Sequence, residues 1–259
     1  MLLELNFRSK ELKRNVGVNV LIPGTGCEAD EPYKVLWLLH GLSGDHTSWM
    51  RNTCIERYAK ELRLAVVMPG VDRSWYTNTA YGANYFDFVA KELPALCHGV
   101  FKGWSEKRED NLVAGLSMGG YGALKLALTY PEQYGACISL SGSLDVTRKG
   151  RPCDLNEWRS IFGYDIESPD ELKGSKHDLF ALAEKNKAEG KPFPQTYLWC
   201  GQQDSLIGIN RDFDALLSAL GVAHCFEESE GDHSWRWWDL HIQDGLKHIL
   251  LEEDSEERK

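Results

Sequence analysis

In the segment Asn111-Leu-Val-Ala-Gly-Leu-Ser-Met-Gly-Gly-Tyr-Gly-Ala-Leu-Lys125 the residue pattern changes halfway. Leu112, Val113 and Ala114 form a short apolar run of the kind that makes a buried strand. From Tyr121 to Leu128 the Ala, Leu and Lys residues recur at helical spacing. Between the two lies Gly115-Leu-Ser-Met-Gly119, a G-x-S-x-G pentapeptide at a strand-to-helix turn. A turn of this shape lifts the serine hydroxyl clear of the sheet. It needs glycines because a Cβ at Gly115 or Gly119 would collide with the neighbouring helix or sheet. Ser117 is then expected at a helix N-terminus, where unpaired N–H groups receive negative charge. Pentapeptides of this type arise by chance in glycine-rich chains, and this one holds 24 Gly, so its meaning depends on partners elsewhere.

Outward from that segment, strands and helices alternate. Lys34–His40 and Leu64–Met68 are nearly all apolar, as expected of strands covered on both faces. Gly135–Leu140, Thr196–Gly201 and Ala223–Glu227 continue the series downstream. Ser48–Leu62, Asn84–Cys97 (despite Pro94), Ile207–Leu220 and Trp235–Leu251 have helical periodicity. Leu2–Arg8 and Asn15–Ile22 alternate around a polar turn and predict an antiparallel hairpin, followed by a loop over Thr25–Pro32. The expectation is an α/β fold in which a mostly parallel central sheet is flanked by helices. Residues 1–259 read as one domain, with 144–194 a short helical insertion over the active-site edge and 252–259 a frayed tail. In such sheets chemistry gathers at the C-terminal ends of the strands.

Composition narrows the function classes. A hydrophobic share of 42% with 26% charged residues is that of an ordinary globular protein. The net charge of −10 argues against nucleic acid and anionic membrane surfaces as partners. Cys27, Cys54, Cys97, Cys137, Cys153, Cys200 and Cys225 are scattered and form no C-x-x-C pair, which predicts a reduced, cytoplasmic protein without a disulfide framework or zinc site. There is no apolar leader segment and no run long enough to span a bilayer. His40, Asp45 and His46 share a loop but lack a third ligand at metal spacing, and no phosphate-binding glycine motif occurs; neither metal nor cofactor is expected.

A serine hydroxyl needs a base, and the base needs a carboxylate to orient it. In elbow-type turns the chain order is serine, acid, histidine. Among the downstream histidines, His233 lies in Gly231-Asp-His-Ser-Trp235, between the last strand and the last helix, where an imidazole can reach over the sheet edge. His177, His224, His241 and His248 fall in the insertion, a strand and the final helix. Asp204 follows the strand ending at Gly201 and fits the orienting role. Asp232 is the alternative, although a residue adjoining the histidine in a tight turn more often caps that turn. Oxyanion donors are expected from the N–H of Met118, directly after the serine, and of Leu42 in His40-Gly-Leu-Ser-Gly44. His40 reads as an anchor of that loop. Trp75, Tyr76 and Trp235 are candidates for lining an acyl or aryl pocket.

On LLHGLSGDHTSW (Leu38–Trp49), VVMPGVDRSWYTNTAYG (Val66–Gly82), AGLSMGGYGALKLAL (Ala114–Leu128), Gly201–Asp204 and GDHSWRWWD (Gly231–Asp239), the chain resembles the α/β-hydrolase superfamily. Within it the likeness is to the esterase D-like esterases, among them bacterial tributyrin, acetyl and cinnamoyl esterases. The resemblance implies a serine esterase acting on small-molecule esters. It implies Ser117, Asp204 and His233 as the catalytic triad, and Leu42 and Met118 as the oxyanion hole. S-formylglutathione hydrolases of the same branch carry a cysteine where Gly44 stands here, so the thioesterase becomes the alternative. An acyltransferase using the same triad is another, and homo-oligomerisation stays open.

Overall fold

The computed structural model describes residues 1–24, 31–148 and 154–256, the side chains of 252–256 excepted. Cys27, Cys153, most of the predicted 25–32 loop and the last residues of the predicted tail lie outside the described residues. Eight strands form one sheet: β1 Leu2–Arg8, β2 Asn15–Leu21, β3 Lys34–Leu39, β4 Leu64–Pro69, β5 Asn111–Leu116, β6 Ala136–Leu140, β7 Gln195–Gly201 and β8 Cys225–Ser229. Their order is β1-β2-β4-β3-β5-β6-β7-β8. The N-terminal hairpin joins antiparallel, and every pair from β4 onward is parallel.

The order reverses at β3. The chain moves from β3 to β4 on one side, then returns to place β5 on the other. In a parallel sheet such a switch leaves a crevice beyond the C-terminal strand ends, because the two following connections diverge to opposite faces. The connections here are His40–Thr47 after β3 and the elbow after β5.

Side-chain alternation builds a core on each face. Val35, Trp37 and Leu39 of β3 point to one side, and Leu36 and Leu38 to the other. The first face carries α5 (Met118–Thr129) and α8 (Ile207–Ala219). The second carries α1 (Ser48–Asn52), α2 (Ile55–Glu61) and α9 (Trp235–Glu256). Both faces being covered explains why the inner strands read as unbroken apolar runs.

Where structure and sequence pattern differ, a side chain or a proline is the reason. The helix predicted over Ser48–Leu62 is two helices. Thr53 is extended at φ −138°, its hydroxyl donates to the Trp49 carbonyl at 2.6 Å, and Asp239 of α9 accepts the Cys54 N–H at 2.9 Å. The helix over Asn84–Cys97 is α3 (Tyr85–Asp87), a π turn (Phe88–Glu92) and α4 (Leu93–Val100). Pro94 lacks an N–H for the i−4 carbonyl, and the wider turn accommodates that missing bond. Between β6 and β7 lie α6 (Leu155–Phe162), a 3-10 turn (Pro169–Leu172) and α7 (Leu179–Ala188), whose Trp158, Ile161, Leu172 and Leu179 are buried in the first core. Residues 252–256, expected in a frayed tail, continue α9.

The joint between β5 and α5 is tightly closed. A Cβ on Gly115 would overlap the Gly119 carbonyl, and one on Gly119 would overlap the Leu39 carbonyl of β3. Gly115→Ala should therefore cost about 1–3 kcal/mol through overpacking, read as a lower urea midpoint with unchanged slope. An unmoved midpoint would show that the turn has room to spare.

Candidate active site

The end of β5 delivers Ser117 in a backbone conformation that L-residues seldom adopt, φ 53° and ψ −117°. Surrounding strands hold it there. Its N–H donates to Leu140 O at 2.9 Å, and its carbonyl accepts the Ser143 N–H at 3.0 Å and the Tyr121 N–H at 3.1 Å. Met118 begins α5, so its N–H has no carbonyl one turn earlier to bind.

Asp204 and His233 arrive from the loops after β7 and β8, and backbone hydrogen bonds lace those loops together. Gln202 N–H donates to Ser229 O at 2.8 Å, and Gln203 N–H to Gly231 O at 2.9 Å. The Gln203 side-chain carbonyl accepts the Gly231 N–H at 2.8 Å. A Cβ on Gly201 would overlap the Gly231 carbonyl, so this pair too needs bare backbone. The acid and the histidine thus come from turns 29 residues apart that move as one piece.

The three side chains form a hydrogen-bonded line. His233 Nδ1 is 2.8 Å from Asp204 Oδ2, and His233 Nε2 is 3.0 Å from Ser117 Oγ. Satisfying both places the proton on Nδ1, leaving Nε2 to accept from the serine. Asp204 is fully buried at its side chain, whereas His233 keeps 36% exposure. Burial works to raise the Asp204 carboxyl, but hydrogen bonds from His233 and the Leu206 N–H outweigh it, and the group lies below its usual range. Asp232 takes a different role: it accepts a hydrogen bond from the Ser234 hydroxyl within its own turn.

The loop after β3 closes the other side. Gly44 N–H donates to Gly41 O at 3.0 Å, making a turn with Leu42 inside it. A Cβ on Gly41 would press on Leu116 Cδ1 at 2.7 Å, so a larger residue here would have to displace that side chain. His40 is buried and accepts the Val71 N–H at Nε2 (3.0 Å); its Nδ1 therefore carries the proton and donates to Gly41 O at 2.7 Å. This confirms His40 as an anchor rather than a base. Among the other histidines, His177 contacts Lys125 Nζ at 3.2 Å, His224 pairs with Asp214, and His241 stacks on Trp199.

A cavity of about 490 Å³ opens onto Ser117 and His233. Leu42, Leu116, Trp235 and Trp238 form its apolar wall, and Ser43, Ser48, Asn52 and Ser234 its polar one. Trp235 is where sequence reasoning expects it. Trp75 and Tyr76 are not: both are buried, Trp75 edge-on to Tyr121 and Trp158, and the Tyr76 hydroxyl donates to His40 O at 2.9 Å. Both have positive φ values, 52° and 46°, and pack inward, Tyr76 beneath the loop after β3. Nor does the 144–194 segment line this cavity among the described residues; it packs on the Trp75 loop, with Arg73 bonded to Glu157. Trp238, Ser48 and Asn52 were missed, since α1 and the first turns of α9 read only as amphipathic. No group of three or more His, Cys, Asp or Glu among the described residues is arranged to hold a metal. No helix among them is long and apolar enough to cross a membrane.

Residues 9–249 match the model of the family described as "Putative esterase", and the chain belongs to that family. An acetyl esterase of Caldicellulosiruptor saccharolyticus is 33% identical over 262 residues, covering 95% of this chain and 97% of the relative. FphF, a fluorophosphonate-binding serine hydrolase of Staphylococcus aureus solved with substrate bound, superposes with a TM-score of 0.89 at 37% identity, covering 96% of this chain and 98% of that one. The S-formylglutathione hydrolase FrmB of Staphylococcus aureus does so with a TM-score of 0.85 at 36% identity and the same coverage. The α/β-hydrolase fold and the carboxylic ester hydrolase class expected from the motifs are therefore those of this chain.

Two buried histidines near the site make stability depend on pH. Burial lowers His40, with the Gly41 carbonyl opposing it only in part. Burial, with the neighbouring Lys125 and Lys176, pushes His177 down to about 2. His177 stays neutral in the folded chain and His40 is harder to protonate there, while their unfolded counterparts take up protons near pH 6.5. The folded state is therefore favoured above that value, and stability should fall between pH 7.5 and 5.5, by about 1.4 kcal/mol in all for His177 and further in the same direction for His40. Urea midpoints across that interval test this; a flat profile would contradict it.

Proposed function

We propose that the chain is a serine carboxylesterase that removes short-chain acyl or aryl groups (acetyl, butyryl, cinnamoyl or feruloyl) from neutral small-molecule esters through an acyl-enzyme. The observation that carries this reading is the line from buried Asp204 through His233 to Ser117, ending on a strained serine beside an open cavity. In this reading Ser117 Oγ attacks the ester carbonyl carbon as His233 Nε2 takes its proton. The tetrahedral oxyanion is held by the N–H groups of Met118 and Leu42, each contributing about 3 kcal/mol to lowering the barrier. The imidazolium, stabilised by Asp204, then protonates the departing alcohol. Water enters on the acyl-enzyme, gives its proton to the same nitrogen, and releases the acid.

The cavity favours neutral substrates. Its wall of Trp235, Trp238, Leu42 and Leu116 suits a small acyl chain or an aromatic ring, and among the described residues no lysine or arginine lines it. An anionic thioester such as S-formylglutathione would gain no ion pair from that lining. The likeness to a solved S-formylglutathione hydrolase keeps that thioesterase as the second reading. The chain is further read as one hydrolase domain. A cytoplasmic location belongs to the same proposal and is supported by the free thiols of Cys54, Cys97, Cys137 and Cys200.

A rate panel on the purified protein tests this: p-nitrophenyl acetate, butyrate and octanoate, methyl ferulate and S-formylglutathione. Short or aromatic neutral esters should turn over fastest. Ser117→Ala should lower kcat by roughly a thousandfold or more, and Asp204→Asn by roughly a thousandfold to ten-thousandfold. Full activity in Ser117→Ala would sink the mechanism. A strong preference for the thioester would promote the second reading.

A further inference from the structure

The corner after β6 contains an unusual serine. Ser141 is fully buried and has φ 47°, a left-handed conformation in which glycine is the comfortable residue. Glycine follows at once, as Gly142, so the backbone could have turned here without a side chain. The chain keeps a hydroxyl at the strained position instead. The strand ladder holds it in place, Ser141 N–H donating to Trp199 O at 2.7 Å.

That hydroxyl has two neighbours that matter. Its oxygen accepts the indole N–H of Trp238 at 3.1 Å. The buried carboxylate of Asp204 is close enough to that hydroxyl for the two to interact. The thiol of Cys200 lies beside the same hydroxyl, but a carboxylate is the stronger acceptor for a single O–H. Trp238 also stands edge-on to the His233 ring, at 4.8 Å between centroids and 87° between planes. One tryptophan on α9 therefore touches the imidazole directly and bonds a hydroxyl that lies beside the carboxylate.

We propose that Ser141 and Trp238 are positioning residues for the Asp204–His233 pair, holding the buried side of the carboxylate by an indole N–H to hydroxyl to carboxylate relay. The inference rests on the triad reading above. Indole N–H donation leaves the Ser141 oxygen no better use for its own proton than Asp204. The carboxylate is thereby held from His233, from the Leu206 N–H and from Ser141, and cannot rotate away from the imidazole. The relay also withdraws electron density from the carboxylate, so its loss would leave Asp204 a stronger acceptor for the imidazolium. The other titratable group facing Asp204 is Cys200 on β7, which burial foremost, with the Asp204 charge, pushes up to about 12, so it stays a neutral thiol.

Ser141→Gly is the decisive variant. It deletes the hydroxyl while relieving the strained φ, so a purely structural serine would leave a protein as stable or more so, with unchanged kinetics. We expect the unfolding midpoint to hold or rise, kcat on p-nitrophenyl acetate to fall roughly tenfold to a hundredfold, and KM to stay within about twofold. The acid limb of the pH–rate profile should move to higher pH. Trp238→Phe, which keeps an aromatic ring and loses only the donor, should shift the limb in the same direction; combined with Ser141→Gly it should add little to the loss in kcat, because both act through one relay. Ser141→Gly with parental kcat and acid limb would overturn the proposal. Should that variant not fold, parental kcat and acid limb in Trp238→Phe would do the same. With Ser117→Ala inactive and Asp204→Asn impaired, such a result removes this inference alone; an active Ser117→Ala removes the triad beneath it as well.

Discussion

Bare backbone at the joint between β5 and α5 is the constraint from which the rest of the site follows. Gly115, Gly119 and the Leu39 carbonyl meet at distances no Cβ could occupy. Only that approach lets the chain reverse from strand to helix within one residue, and the reversal forces Ser117 to φ 53°. Strain of this kind costs about 1–3 kcal/mol and persists only where the surroundings over-determine it. Here the surroundings are the extended ladders of β6 and β7, which grip Ser117 and Ser141 beyond their strand ends.

The same device recurs on the far side of the site. Gly201 against Gly231 lets the turn after β7 lie on the turn after β8, and three hydrogen bonds join them. Asp204 and His233 therefore stand on two turns hydrogen-bonded to each other, while Ser117 stands on the elbow. The switch in strand order brings the loop after β3 to the elbow, with His40 fixed in one tautomer between Gly41 and Val71. The positions of Ser117, Asp204, His233 and the loop after β3 are thus set by backbone and buried polar contacts, and side chains on α1 and α9 complete the cavity wall with Leu42 and Leu116.

Buried polar groups also tie together the loops around the site. Lys125, buried on the elbow helix, donates to the Tyr76 carbonyl at 3.1 Å and to the Thr77 hydroxyl at 2.6 Å. Burial holds its ammonium pKa well below normal. That contact, with the Tyr76 hydroxyl on His40 O, ties the aromatic loop beneath the oxyanion side instead of presenting it to substrate. The loop's aromatic richness, read from sequence as a pocket, thus serves to support the loops of the site.

Sequence by itself determined the sheet, the elbow and the chain order Ser117, Asp204, His233. Those are written in short-range signals: apolar runs, glycines at forced close approaches, and polar residues just past strand ends. Tertiary structure alone decided which aromatic residues face the cavity. Trp75 and Trp235 are equally aromatic in a linear pattern, but the first, at positive φ, packs into the core, and the pitch of α9 brings the second, with Trp238, to the opening. It also decided that Ser48–Leu62 breaks at Thr53, because Asp239, far along the chain, competes for the Cys54 N–H. The bond from the Trp238 indole to Ser141 was likewise invisible: it joins residues 97 apart, and no local periodicity records it. Local pattern encodes backbone shape; contacts between distant segments exist only once the chain has closed on itself.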